Sequence, residues 1–306
     1  MARAVLAQET VFALRETIAK LEGKAVPSMA AARQDAYPAE ERAHRLSLGV
    51  EALDEALEGG LPLEGITEIR SQGFRDAGAS SGFALALSGL MQERGATGPA
   101  PFLWIADRMS AMEAGSPYPL GLRQFGLDIA RFLVARPDRL EDALWLAEAA
   151  LASGIFGTTI LEIRGNPKAF GLTESRRLHL RAKAAGRPLL LLRHAGEEEA
   201  SSALFRFLLE PFPARARLLP DGSMLGGSIG HSVFRLTLEK SRNPAPLSFL
   251  LEWNPHDRQF RDLSSAEQPL LREDRPAHSG RSLSKAGDRQ DIAPLLGAVL
   301  AFDRAS

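Results

Sequence analysis

Gly73 and Gly78 are separated by four residues, and Ser80 follows two places later. This is the frame of G-x-x-x-x-G-K-[ST]. In that loop backbone N–H groups cradle phosphate, the lysine neutralises it and the hydroxyl holds Mg²⁺. Here Ala79 stands in the lysine's place, so the frame is kept and its main charge is missing. The same residues carry a second pattern. Gly78-Ala79-Ser80-Ser81-Gly82 reads G-x-S-x-G, the nucleophile elbow of α/β-hydrolases. An elbow sets its serine at the corner directly after a strand, and the expected strand here ends at Arg70, at least seven residues before Gly78. Asp221 and His231 follow in the order a triad needs, but in a loop-like stretch. The elbow is the weaker fit.

The elements that must position this loop lie between residues 46 and 91. A short amphipathic helix (Val50, Leu53, Ala56, Leu57) leads to a Gly-Gly-Leu-Pro turn and then to an apolar strand over 66–70. A glycine- and serine-rich loop over 71–82 comes next, and an apolar helix over 83–91 closes the stretch. Strand, loop and helix in that order put the partial positive charge of a helix N-terminus at the loop.

The run Leu-Ser-x-Gly-Val-x-x-Leu-Asp at 46–54, then Gly59-Gly60-Leu61-Pro62-x-x-Gly65 and Ile66-Thr67-Glu68-Ile69, resembles the approach to the phosphate loop in the RecA-like NTPase superfamily. Within it, the degenerate loop, the N-terminal helix and the chain length resemble the ImuA family, RecA-related accessory proteins of bacterial inducible mutagenesis. The resemblance implies an α/β fold, a RecA-like P-loop NTPase core with a mainly parallel sheet, a helical N-terminal arm and a disordered C-terminal tail.

It also implies which residues stand at the catalytic positions. A working ATPase of this kind needs the loop lysine, a hydroxyl and an acid on Mg²⁺, and a glutamate that activates water. Ser80 keeps the hydroxyl. Thr159-Ile160-Leu161-Glu162 aligns with the metal-holding strand and puts Glu162 at its acid. The water-activating position, after Trp104-Ile105-Ala106-Asp107, falls on Arg108, with Asp107 one residue out of register. Arg75 lies inside the loop, but nothing in the spacing aims it at a phosphate. Gly73, Gly78, Ser80 and Glu162 therefore form a vestigial phosphate and metal site, with weak ATP and Mg²⁺ binding at most and no required cofactor. The bland reading of the glycines is that they only let the chain turn.

Composition sets the bounds. The chain has 306 residues, 45% of them hydrophobic, enough for one large core with appendages. A net charge of −1 gives no global case for nucleic acid or a membrane surface. There is no cysteine, which removes disulfides, thiolate catalysis and cysteine-held zinc. The six histidines (His44, His179, His194, His231, His256, His278) show no metal-ligand spacing, so no metal site is expected. Trp104, Trp145 and Trp253 read as packing. Charges at Glu9, Arg15 and Glu16 interrupt any signal-peptide core, and no apolar run spans a bilayer, so a cytoplasmic protein is expected.

Five regions follow along the chain. Residues 1–23 hold a helix whose apolar seam is Val11, Leu14, Ile18 and Leu21, and residues 24–45 form a linker. Residues 46–255 are the core, with strands expected at 66–70, 102–106, 131–135, 159–163, 189–193, 233–238 and 248–253. The early strands are continuous apolar runs, as in a parallel sheet buried on both faces; the last two alternate and suggest an antiparallel pair near an edge. Helices are expected at 140–152, capped by Asp138 and Glu141, at 173–185 from a Thr173 cap, and at 197–210. Residues 256–291 are polar and expected to be disordered. Residues 292–306 carry an apolar peptide with Leu295, Leu296 and Phe302. The two terminal segments suit docking onto a partner, or folding back onto the core. Arg215, Arg217, Arg235, Lys240 and Arg242 flank a glycine-rich stretch, 221–230, and are candidate DNA contacts; the alternative is a solvated hairpin with ordinary surface arginines.

The resemblance, with the lost lysine of the loop, implies a non-catalytic accessory protein in SOS-induced translesion DNA synthesis. The resemblance implies contact with ImuB, a Y-family polymerase homologue, and through it with an error-prone replicative-type polymerase. RecA, single-stranded DNA and self-association are further contacts it allows. The competing expectation is an atypical DNA-dependent ATPase whose remodelled loop is completed by a partner's cation.

Overall fold

The run at 46–62 builds the platform from which the sheet starts. In the computed structural model, which describes residues 44–94, 100–214, 221, 230–241 and 247–263, β1 (Arg45–Leu46) leads to α1 (Glu51–Ala56) and pairs antiparallel with β2 (Leu61–Pro62). The Asp54 carboxylate accepts hydrogen bonds from Ser47 Oγ (2.7 Å), Leu48 N (2.8 Å) and Gly49 N (3.1 Å), so the spacing of Ser47 and Asp54 in that run makes a local clasp. Gly60 has φ +127°, and a Cβ there would lie 2.4 Å from Leu46 O, so only glycine lets the two short strands meet. The Arg45 guanidinium donates to Leu57 O and Gly60 O, so the expected linker over 24–45 ends one residue early.

The chain then runs through β3 (Gly65–Ser71), a 3₁₀ turn at Phe74–Asp76, α2 (Ala77–Arg94) and β4 (Phe102–Ala106). Next come α3 (Arg108–Ala114), α4 (Pro119–Gln124), β5 (Phe132–Ala135), α5 (Leu140–Ser153) and β6 (Thr158–Arg164). The last part holds α6 (Leu172–Ala185), β7 (Pro188–His194), β8 (Phe205–Phe212), β9 (Ser232–Lys240), β10 (Leu247–Asn254) and β11 (Gln259–Asp262). The main sheet has the order β11-β10-β9-β8-β3-β7-β6-β4-β5. From β8 to β5 neighbouring strands are parallel, and from β8 to β11 they are antiparallel. This is an α/β architecture with a mainly parallel sheet, as the apolar runs indicate. No helix among the described residues is long and apolar enough to cross a membrane.

Side chains of alternate residues divide the core. On one face Ile69, Trp104, Ile160, Leu190, Leu192, Phe207 and Leu236 pack with α2, whose Phe83 sits among Phe207, Phe234 and Phe260 at centroid distances of 5.4–5.9 Å. On the other face Ile66, Ile105, Leu161, Ile163, Leu189 and Leu191 pack under α5 and α6. Parallel strands covered on both sides explain why β4 and most of β7 read as apolar runs, while β3 and β6 carry buried Glu68, Arg70 and Glu162 among their apolar residues.

Several expectations need correction. The helix at 197–210 does not form. Phe205, Phe207 and Leu209 are buried on one face while Arg206 points to the other, so the alternation has period two and makes β8. The tail does not begin at 256, because β11 pairs with β10 and Phe260 packs on Trp253 at 4.9 Å. The N-cap of α5 is Arg139 without a side-chain cap, its guanidinium held instead by Asp142. The N-cap of α6 is Gly171, whose N–H donates to Glu174 Oε2, and not Thr173. Trp145 is 70% exposed on the outer side of α5, while Trp104 and Trp253 are buried as expected. The loop over 71–82 is shorter than expected, since α2 already starts at Ala77 and takes Gly78, Ser80 and Gly82 into its first turns.

Candidate functional site

The C-terminal ends of β3, β7 and β6 lie side by side under the first turn of α2, where an open parallel sheet offers its ligand crevice. Ser71 on β3 is in register with His194 on β7, and Glu162 on β6 is in register with Leu192 on β7 and Ala106 on β4. Alternation turns Ser71, His194, Glu162 and Trp104 towards α2, whose Ser80 meets them from above.

The five side chains form one connected chain. The Trp104 indole N–H donates to Glu162 Oε2 at 2.9 Å. Glu162 Oε1 lies 3.3 Å from His194 Nε2. His194 Nδ1 lies 3.0 Å from Ser71 Oγ and 3.3 Å from Ser80 Oγ, and Ser80 Oγ donates to Ala77 O at 3.1 Å. None of the five is more than 1% exposed. His194 Nε2 and Glu162 Oε1 face each other in the buried site without forming a hydrogen bond, and the two serine hydroxyls share His194 Nδ1, where donor and acceptor follow the tautomer. Phe74 covers the imidazole, ring centroids 6.4 Å apart, and Arg164 stacks over Phe74 at 6.0 Å.

Sequence reasoning named Ser80 and Glu162 as the pair that would share a metal, and the structure does bring them together, around the His194 ring. Mg²⁺ requires oxygen ligands at about 2.0–2.1 Å in an octahedron and keeps several of its waters. The imidazole occupies the gap: Ser80 Oγ and Glu162 Oε2 are hydrogen-bonded within the protein, and Glu162 Oε1 faces the ring. Among the described residues no group of three or more acidic or histidine side chains is placed to hold a metal. The phosphate cradle is also spent. The N–H of Asp76 donates to Gly73 O and that of Ala77 to Phe74 O, so the 3₁₀ turn uses amides a phosphate would need. Gly73 has an extended backbone (φ −147°) and a Cβ at Gly78 would meet no atom within 4 Å, so neither glycine is forced by the fold. Arg75 is 87% exposed in its side chain and pairs with Asp76. Asp107 caps α3, accepting from Ser110 N at 2.7 Å, and Arg108 is exposed. The residues present do not fit nucleotide with Mg²⁺.

The hydrolase pattern gains a histidine, though not the expected one: His194, not His231, stands beside Ser80, with Glu162 behind it. The serine lies inside a helix, beyond a 3₁₀ turn, and is fully buried, so no acyl group can reach it. Sequence reasoning missed His194, Ser71 and the indole of Trp104. One signal was available: the apolar run of β7 ends on His194, two residues after Leu192, on the face that carries Glu162.

Of the candidate DNA contacts, Arg215, Arg217 and Arg242 lie outside the described residues. Arg235 pairs with Glu210 (3.8 Å) and stacks over Phe212 (4.9 Å). Lys240 Nζ donates to Ser201 O at 2.7 Å, and burial, then the nearby Arg206 charge, hold its pKa below the usual lysine value. Both cations already have protein partners. Val11, Leu14, Ile18, Leu21, Leu295, Leu296 and Phe302 lie outside the described residues.

No protein-family model matches the chain, and no curated protein matches it. Among solved structures, the crystal structure of the RadB recombinase is similar at 15% sequence identity, covering 71% of this chain and 99% of that one, with a TM-score of 0.46.

Proposed function

We propose that this chain is a RecA-like protein that has given up nucleotide hydrolysis and acts as an ImuA-like adaptor in damage-induced translesion synthesis. The run over 46–69 supports the RecA-like reading, and the absence of a lysine at Ala79 supports the loss of catalysis. The observation that carries the reading is the His194 ring between Ser80 and Glu162, the two residues that a Mg²⁺-dependent ATPase of this fold must keep open. A protein that retains the sheet and its loop frame while filling the metal position is built to present a surface. Its partners on this reading are ImuB and, through ImuB, an error-prone polymerase, with RecA and single-stranded DNA as further contacts.

Two measurements test the proposal. With ATP, Mg²⁺ and single-stranded DNA, the purified chain is expected to release phosphate no faster than its Ser80→Ala and Glu162→Gln variants. Brisk turnover that either substitution abolishes sinks the non-catalytic reading. In pull-down with ImuB, chains lacking residues 1–23 or 292–306 are expected to retain less partner than the full chain. Capture undiminished by loss of both segments removes them as docking elements, and no capture by the full chain removes the ImuB assignment.

A further inference from the structure

We propose that the outer groove between α5 and α6 docks an acidic, amphipathic helix of a partner protein. The inference rests on the adaptor reading for its purpose and deepens it, because it places a docking surface on the core itself and states the partner's chemistry.

Two matching stripes define the groove. Glu148 on α5 pairs with Arg177 on α6 at 2.5 Å, which marks the sides on which the two helices meet. Trp145, Glu148, Ala149 and Ala152 follow the spacing i, i+3, i+4, i+7, and so do Arg177, Leu180, Arg181 and Ala184. In a helical layer that spacing makes a face that packs on a neighbour. The sheet is covered by other residues: Ala143, Leu144, Ala147 and Leu151 of α5, and Ser175, Leu178 and Ala182 of α6. The outer stripes are exposed apart from Glu148 at the floor, with Leu180 at 56% and Trp145 further out still. A tryptophan left in water is a large uncovered apolar surface, and at interfaces it is a preferred anchor.

The charge of the groove selects its occupant. Glu148 is the only acid in the two stripes, and Arg177 already answers it. Arg176 and Lys183 add exposed cations beside Leu180, and among the described residues Arg176, Arg181 and Lys183 make no ion pair. A second copy of this chain would set these cations against themselves across a two-fold axis. A bilayer would have to desolvate the seam of Glu148, Arg177 and Arg181 that runs between Trp145 and Leu180. Single-stranded nucleic acid could use the cations, but one aromatic ring makes a poor stacking platform and the aliphatic walls would gain nothing. A helix with leucines along one side and carboxylates beside them covers Trp145 and Leu180 and sets counter-charges on the seam. The three alanines leave room for its backbone to come close.

A designed helical peptide of leucine and glutamate, with its leucine–lysine counterpart, supplies the probe. Binding to the full chain is followed by the anisotropy of labelled peptide and by iodide quenching of tryptophan emission. Quenching reads Trp145, because Trp104 and Trp253 are buried. The leucine–glutamate peptide is expected to bind and to shield Trp145, and the leucine–lysine peptide to do neither. Trp145→Ala alone, and Arg181→Glu with Lys183→Glu, are each expected to weaken binding about tenfold or more. Arg123→Glu, an exposed position on α4, is expected to leave it unchanged. All these residues are at the surface, so the variants are expected to fold. No binding by the leucine–glutamate peptide overturns the proposal, as does binding that the groove substitutions leave unaltered. Oligothymidine or phosphatidylglycerol vesicles that shield Trp145 better than the peptide overturn it too, and assign the face to nucleic acid or lipid. Peptide binding decides the groove and phosphate release decides the adaptor reading, so either can fail alone.

Discussion

The two faces of the sheet meet the same strand ends and solve opposite problems. Towards α2, Ser71, Ser80, His194, Glu162 and Trp104 form a sealed chain with one formal carboxylate and no lysine or arginine. Towards the other face, the residues next in sequence form a fully charged lattice. Glu68 accepts from Ser201 Oγ (2.6 Å) and Arg206 Nε (3.0 Å) and faces Arg193 Nε (3.2 Å). Arg193 and Arg206 reach on to Glu199 and Glu198, and Arg70 makes a two-point pair with Glu239 at 2.9 and 2.8 Å. Arg206 and Arg70 also donate to the carbonyls of Glu199 and Gly196, pinning the stretch between β7 and β8 over the sheet. A strand's alternation thus lets His194 serve one face and Arg193 the other. The lattice holds structure by charge, and the sealed chain holds it by hydrogen bonds around one ring.

That contrast predicts unequal responses to the same substitution. Glu68→Gln leaves two guanidinium groups, 1% and 3% exposed, without their shared buried counter-charge. Their remaining acids, Glu199 and Glu198, are 41% and 65% exposed and replace it poorly. The expected loss is about 3–5 kcal/mol, the range for breaking a buried ion pair from one side. Glu162→Gln keeps a carbonyl that can accept from the Trp104 indole, and it should cost about 1 kcal/mol, the net worth of one hydrogen bond. Guanidinium unfolding of the two variants in parallel measures both. Equal losses would mean that the α2 face also depends on ionic pairing, and the distinction between the faces would fail.

Much of this organisation was legible before any coordinates, for reasons that differ by element. The strands β4 and β7 announce themselves because burial on both faces favours apolar runs, and β3 and β6 keep enough Ile and Leu to be read as strands around Glu68, Arg70 and Glu162. Ser80 could be named from the spacing of its loop, a local property, and Glu162 only through the resemblance of its strand to a metal-holding one. The lattice and the ring could not be read that way. Glu68, Arg193 and Arg206 lie on three strands, and only the register of β3 with β7 and β8 brings them together. His194 is one more histidine after a leucine run until the sheet order sets β7 between β3 and β6. The stretch after β7 misled for a physical reason too. Its glutamates and leucines suit a helix, yet the charge of Glu198 and Glu199 is spent on Arg206 and Arg193, and the apolar residues repeat every second position.

The histidines give the finest test, because each face has one, at opposite ends of β3. His194 closes the α2 face at the Ser71 end. On the other face, at the Gly65 end, the His179 ring packs against Gly65, and its Nδ1 accepts from Ile66 N at 3.4 Å. Burial, first of all, and then the positive charge of Lys183 hold the His179 pKa below its ordinary value; Lys240 adds to this and Glu64 opposes it. A folded-state pKa below the unfolded one means that the unfolded chain binds the proton more readily. The neutral ring's contribution is therefore complete above the unfolded value of about 6.5 and is lost as pH falls below it towards the folded value. The site is partly open to solvent, so the effect should stay under about 1 kcal/mol. His179→Gln retains an acceptor that cannot be protonated in this range. Between pH 7.5 and 5 its melting temperature should fall less than that of the natural chain. Parallel slopes would remove His179 as the source of the pH response.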